Sequence, residues 1–116
     1  MPGPHVRLRL DFSHDCAVGP GKIALLEGIA RTGSLSAAAR EMGMSYRRGW
    51  MLVHELNAGF DSRLVELSAG GRAGGGARLT PLGERMVERY RSLERKVDRL
   101  AAEEFASFRD PTTTKR

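Results

Sequence analysis

Two helical periodicities separated by a break of only three or four residues constrain this chain more than any other feature. Ser34, after Thr32-Gly33, can cap a helix in which Leu35, Ala38, Ala39 and Met42 recur at helical spacing. Gly43 closes that helix. Ser45 can cap the next, in which Val53 and Leu56 recur on one face. A third run comes before them. Pro20 and Gly21 lead into Ile23, Leu26, Ile29 and Ala30, with Leu25 flanking, and Thr32-Gly33 ends it. The spacing predicts helices over about Lys22 to Arg31, Leu35 to Met42 and Tyr46 to Leu56. Gly49 costs the last of these about 1 kcal/mol of helix propensity relative to alanine. Close contact with the small Ala37-Ala38-Ala39 run, near Ala38, is the expected compensation.

Before these helices, Val6, Leu8, Leu10 and Phe12 alternate with Arg7, Arg9 and Asp11, which predicts a half-buried strand over 6–12. Residues 1 to 6 read as frayed and Ser13 to Gly21 as a turn region. The strand has no obvious hairpin partner and is expected to pair with a later strand or with another chain. After the helices, Asn57-Ala58-Gly59 is a stop and Leu64 to Ser68 a short strand. Ala69 to Gly76 is too glycine-rich for a helix or a packed strand, and Ala77 to Thr80 resumes extended structure. A hairpin with a glycine tip, placed after two such helices, reads as the wing of a winged helix, and strand 6–12 would complete its sheet. Thr80 as cap, Pro81 in the first turn and Glu84 then start a long helix. Leu82, Met86, Tyr90, Leu93, Val97 and Leu100 follow at spacings of four and three, the pattern of a coiled-coil seam.

Two helices with so short a break form a helix-turn-helix, whose second helix offers side chains to a DNA major groove. Ser45, Tyr46, Arg47, Arg48, Met51 and His54 are the candidate DNA-binding residues on that helix. Arginine can pair bidentately with guanine, while Ser45 and Tyr46 can bond phosphate. The bland reading of Arg47 and Arg48 is a solvated charge pair, and that of His54 a surface histidine. Trp50 reads as core or semi-buried against the second helix. In the wing, Arg72 and Arg78 supply positive charge to a phosphate backbone. The glycine run lacks the Lys-Ser or Lys-Thr ending of a phosphate-cradling loop, so nucleotide binding is rejected.

The chain has 116 residues and 19 Lys plus Arg against 14 Asp plus Glu, a formal charge of +5. That favours a polyanionic partner, though only weakly. A domain this small buries a limited core, so a lone long helix attached to it lacks cover, and pairing with a second copy is the simplest remedy. Cys16 is the sole cysteine, which excludes an intramolecular disulfide. His14, Asp15 and Cys16 are consecutive on a loop, and adjacent loop residues rarely converge. No Cys-x-x-Cys or His-Glu-x-x-His pattern is present. No catalytic residue, metal or cofactor is expected. The N-terminus lacks the pattern of a signal peptide, and no apolar run approaches the roughly 20 residues of a membrane span. A cytoplasmic protein with no membrane partner is expected.

The fold class expected is mainly α with a small β wing (α+β), a winged helix-turn-helix with a long C-terminal dimerisation helix. A single domain over 1–116 would hold the N-terminal strand at 6–12 and the winged helix-turn-helix at 22–80. Within the latter, the recognition helix lies at about 45–56 and the wing at about 64–80. The dimerisation helix follows at 81–108 and a disordered tail at 109–116. The expected function is a sequence-specific DNA-binding transcriptional regulator acting as a homodimer. The alternative is an architectural or protein-interaction module with only non-specific DNA contact.

The strings Met44-Ser45-Tyr46-Arg47-Arg48-Gly49-Trp50 and Gly70-Gly71-Arg72-Ala73-Gly74-Gly75-Gly76-Ala77-Arg78-Leu79-Thr80, together with Gly33-Ser34-Leu35-Ser36-Ala37-Ala38-Ala39, resemble the N-terminal DNA-binding domain of the molybdate-responsive ModE regulators. The likeness covers about residues 20 to 100. A weaker likeness to LysR-type DNA-binding domains covers only the helix-turn-helix. The ModE resemblance implies a homodimer on double-stranded DNA. It places Ser45, Tyr46, Arg47 and Arg48 at the DNA end of the recognition helix and Arg72 in the wing. Full-length members carry molybdate-binding domains, and this chain stops where those would begin. A regulator without such a domain is expected. It would act without an effector, sense something other than molybdate, or rely on a separate effector-binding protein.

Overall fold

The computed structural model describes residues 3–68 and 76–108. Its elements in order are β1 (Leu10–Ser13), β2 (Cys16–Val18), α1 (Pro20–Thr32), α2 (Leu35–Glu41), α3 (Tyr46–Ala58), β3 (Val65–Ser68), β4 (Gly76–Leu79) and α4 (Pro81–Glu104), followed by a 3-10 turn at Ala106–Phe108. The fold is mainly helical with a wing formed by β3 and β4, as expected. No helix among the described residues is long and apolar enough to cross a membrane.

Local chemistry sets the helix ends. Ser34 Oγ accepts from Ala37 N–H at 3.1 Å, Ser45 Oγ from Arg48 N–H at 3.1 Å and Thr80 Oγ from Gly83 N–H at 3.1 Å. Gly33 and Gly43 turn the chain at φ 72 and φ 70, the left-handed conformation that stops α1 and reverses direction after α2. The break between α2 and α3 is therefore only four residues, 42–45.

α1 is the centre of the core. Ile23, Leu25, Leu26 and Ile29 are completely buried, with Val18, Leu35, Ala38, Val53, Leu56, Leu64, Val65 and Tyr90 around them. Small residues bring the helices together. A Cβ built on Gly49 would lie 3.2 Å from Ala39 Cβ and 3.3 Å from Leu35 Cδ1. The crossing of α3 over α2 is thus centred on Leu35 and Ala39 rather than Ala38. Ala38 instead faces α1, where a Cβ on Gly28 would stand 3.0 Å from its own Cβ.

The N-terminal strand departs most from expectation. Only Leu10–Ser13 enters a ladder, and its antiparallel partner is Cys16–Val18, inside the stretch read as a turn region. The wing forms a separate two-stranded sheet, so the N-terminal strand does not complete it. The register shifts between Asp11 and Ser13. That bulge breaks the alternation, leaving Phe12 exposed and edge-on to Phe60 at 5.1 Å, while Val6, Leu8 and Leu10 stay half-buried. Residues 3–9 are not frayed. They run along α4, where Asp98 accepts from Val6 N–H at 2.8 Å and meets His5 Nδ1 at 3.1 Å. Tyr90 donates its hydroxyl proton to the Leu8 carbonyl at 2.8 Å.

α4 is divided by this arrangement. Leu82 and Met86 pack on the core and Tyr90 is buried in it. Val97 is half-buried, and Leu93 and Leu100 are exposed. Arg91 ties α4 to α1, donating to both carboxylate oxygens of Glu27 at 2.9 and 2.7 Å and to Glu94 at 2.7 Å.

Candidate nucleic-acid interface

α3 has an inward face of Gly49, Leu52, Val53 and Leu56, all buried. Its outward face carries Tyr46, Arg47, Trp50, Met51 and His54, all exposed. These positions share one side because residues three and four apart overlie one another on a helix. Arg48 is also exposed but leans toward the β1–β2 hairpin. There it lines a groove with Arg9, His14, Lys22 and Glu55. Ser45 spends its oxygen on the cap and keeps its hydroxyl proton for an external acceptor.

Trp50 is 42% exposed and lines the side of α3 that looks toward the wing. Gly49 occupies the crossing, and the next residue is turned about 100° away from it. The indole stacks on the His54 imidazole, with ring centres 5.0 Å apart and planes 8° from parallel. Together they form one wall of a cleft of about 350 Å³ between α3 and the wing, closed by Asn57, Arg63, Val65 and Leu67. Arg63 was not among the residues singled out from the sequence. Its only signal there is a basic side chain in the short connection from α3 to β3.

The arginines fall into two groups. Arg9 pairs with Asp11, Arg31 with Glu41, Arg78 with Glu66, and Arg91 with Glu27 and Glu94. Among the described residues, Arg47 and Arg48 have no carboxylate partner within ion-pair distance, a state they share with Arg7, Arg40, Arg63 and the outer arginines of α4, and it is their position that sets them apart. They sit in the first turn of α3, which holds no acidic residue. Two cations at the positive end of a helix dipole are mutually unfavourable until an anion arrives.

The wing is built by register. Glu66 faces Arg78 across the ladder, and Val65 and Leu67 face Leu79 and Ala77. Arg78 donates from Nε and Nη2 to Glu66 Oε1 at 3.1 and 2.9 Å. Alternation puts this pair on the opposite face of the hairpin from Val65 and Leu67, and hence from the Trp50 cleft. Arg72 lies outside the described residues. On the β1–β2 hairpin, Cys16 is buried while His14 and Asp15 point to solvent. Among the described residues no three His, Cys, Asp or Glu side chains converge to hold a metal.

The sequence model of the family described as bacterial regulatory helix-turn-helix protein, lysR family, matches residues 21–84. The match runs past the two helices through the wing to the first turn of α4, further than the helix-turn-helix alone. Among curated relatives, the molybdenum-pterin-binding protein MopB of Rhodobacter capsulatus is 46% identical over 83 residues, 72% of this chain and 31% of that protein. The transcriptional regulator ModE of Yersinia pestis is 39% identical over 85 residues, 73% of this chain and 32% of its own. The DNA-binding transcriptional dual regulator ModE of Escherichia coli K12 is 38% identical over 85 residues, with the same coverage. The chain spans about a third of the length of these relatives. With a family match over more than half its residues, the chain belongs to the lysR family of bacterial regulatory helix-turn-helix proteins and is homologous to the ModE transcriptional regulators.

Proposed function

We propose that this chain is the DNA-reading part of a transcriptional regulator and binds a preferred duplex sequence as a homodimer. The observation that carries this is the pair Arg47 and Arg48, without carboxylate partners at the N-terminal turn of an α3 held rigidly on α2. In this reading Arg47 pairs with a guanine edge, while Ser45 and Tyr46 bond phosphate. Met51 and His54 lie further along the groove. Arg48 and the wing arginines, Arg72 and Arg78, supply charge to the backbone. The exposed Leu93 and Leu100 on α4 are the dimer contacts. A location in the cytoplasm follows from a DNA partner in a bacterial regulator family.

The test is recovery of genomic fragments by the purified protein at about 150 mM salt, where non-specific binding is weak. A discrete inverted repeat is expected. Arg47→Ala should weaken it by about 1–3 kcal/mol and blur the preference, while Arg48→Ala should weaken all sequences alike and lower the salt slope by about one. Unchanged affinity in both variants would sink the assignment. Some relatives' names carry molybdenum. The same titration with and without molybdate asks whether an oxyanion changes affinity here. Phe105 and Phe108, exposed beyond α4, favour a second reading as a protein-interaction or architectural module. Uniform recovery of all fragments would support it.

A further inference from the structure

We infer that Trp50, backed by His54, is a specificity-determining residue that contacts the 5-methyl group of a thymine beside the base pair read by Arg47. This rests on the DNA-binding reading of α3 and adds to it an apolar recognition element. Three exposed large apolar side chains share that outward face: Tyr46, Trp50 and Met51 are 54%, 42% and 45% accessible. The wing contributes Leu67 to the far wall of the same cleft. Arg47 precedes Trp50 by three residues and shares its face, so whatever Arg47 meets lies one helical turn from the indole.

Packing leaves 42% of Trp50 uncovered. The α2 crossing is filled through Gly49, and the core below α3 is closed by Leu52, Val53 and Leu56. The ring is nonetheless held in a defined plane, because His54 lies 8° from parallel to it at 5.0 Å. A flat apolar surface presented beside cationic side chains matches one object in particular. The major groove edge of duplex DNA combines phosphate-flanked polar edges with a single apolar projection, the thymine methyl. The Arg47 and Arg48 charges bring the polyanion, and Trp50 is placed to shed water against the methyl.

Two measurements test the inference. Trp50 is the sole tryptophan of the chain, so its emission reports this position directly. Duplex DNA is expected to shift that emission and to shield it from acrylamide. Full acrylamide access in the saturated complex would overturn the inference. Next, each thymine of the preferred site is replaced by uracil, which deletes the methyl alone. One position is expected to cost the unaltered protein about three- to fourfold in affinity, the worth of one buried methyl-sized group. Trp50→Ala and Trp50→Leu, checked by thermal melting, should bind the thymine and uracil sites equally. Insensitivity at every thymine overturns the inference, and so does an undiminished thymine preference in Trp50→Ala. In either case the regulator reading stands if Arg47→Ala still weakens and blurs the site preference. If no preferred site emerges, the regulator reading fails by itself. Trp50 is then tested on mixed-sequence duplexes with thymine or uracil throughout, where equal affinity overturns the inference.

Discussion

The side chain of Asn57 is hydrogen-bonded to the backbone of Val65 in both directions. Its Nδ2 donates to the Val65 carbonyl at 3.0 Å and its Oδ1 accepts from the Val65 N–H at 3.1 Å. The same Oδ1 accepts from Leu64 N–H at 2.8 Å. One amide at the end of α3 thereby fixes the first strand of the wing, and with it the angle between the two elements proposed to touch DNA. Asn57→Ala would leave two backbone donors at completely buried residues without acceptors. Each such loss costs about 1–3 kcal/mol, so denaturant unfolding should show a combined loss of about 2–4 kcal/mol. A loss below about 1 kcal/mol would mean that water replaces the amide.

Three helical glycines should respond to alanine in a fixed order. A Cβ on Gly83 would collide with the backbone carbonyl of Leu64, which no rotamer change can relieve. On Gly28 it would stand 3.0 Å from Ala38 Cβ and 3.4 Å from Ala38 Cα. On Gly49 one of its two close neighbours is the end of the Leu35 side chain, which can turn aside. Overpacking opposes the roughly 1 kcal/mol that alanine gains in helix propensity. Gly83→Ala is expected to lose about 3 kcal/mol or more, Gly28→Ala about 1–2, and Gly49→Ala to fall within about 1 kcal/mol of zero. Thermal or denaturant melts give the ranking, and a Gly49 variant worse than the Gly83 variant would contradict it.

What could be read from the sequence was what local chemistry decides. Ser34, Ser45 and Thr80 cap their helices as side-chain oxygens do, and Gly33 and Gly43 turn where only glycine turns cheaply. What escaped depends on partners distant in the chain. β2 is three residues long, too short for alternation to show, so the partner of β1 was missed. The course of residues 3–9 along α4 is held by Asp98 and Tyr90, more than 80 residues away. Tyr90 fits the seam by spacing, yet it is buried in its own chain. A period of three and four cannot tell an internal core from a partner helix. Trp50 reads as core or semi-buried because large apolar residues are more often packed than exposed, and the ring is 42% exposed, lining a cleft toward the wing.

Arg91 makes the junction of α1 and α4 sensitive to acid. Its hydrogen bonds hold the Glu27 carboxyl below its ordinary value of 4.5. Glu27 and Glu94 in turn hold the guanidinium charged. A carboxyl depressed on folding contributes stability that is complete above 4.5 and disappears as pH falls through its lowered value. The unaltered chain should therefore lose this part of its stability only below about pH 4.5. Arg91→Ala should lose it at all pH, on the order of 2 kcal/mol at neutrality, because Glu94 remains nearly buried without its partner. Parallel unfolding curves for the two proteins across the acid range would contradict this linkage.

The division of α4 gives the dimer proposal a sharp form. Leu82 and Met86 pack on the core, and Tyr90 is 1% exposed with its hydroxyl on the Leu8 carbonyl. A partner can reach Tyr90 only by displacing the chain's own structure, and Leu82 and Met86 offer only the part that the core leaves uncovered. Leu100 is 63% exposed and Leu93 37% exposed, so the surface open to a second copy is the upper half of the helix. Leu100→Glu should therefore leave the melting temperature extrapolated to low protein concentration unchanged, since the side chain touches little in its own chain. It should also convert a dimer to a monomer in sedimentation, because two buried carboxylates at a symmetric interface repel and resist desolvation. Met86→Glu should do the reverse in order of cause, unfolding the chain first and losing the dimer only as a consequence. If Leu100→Glu sediments as a dimer, the copies meet elsewhere and the exposed end of α4 serves a different partner.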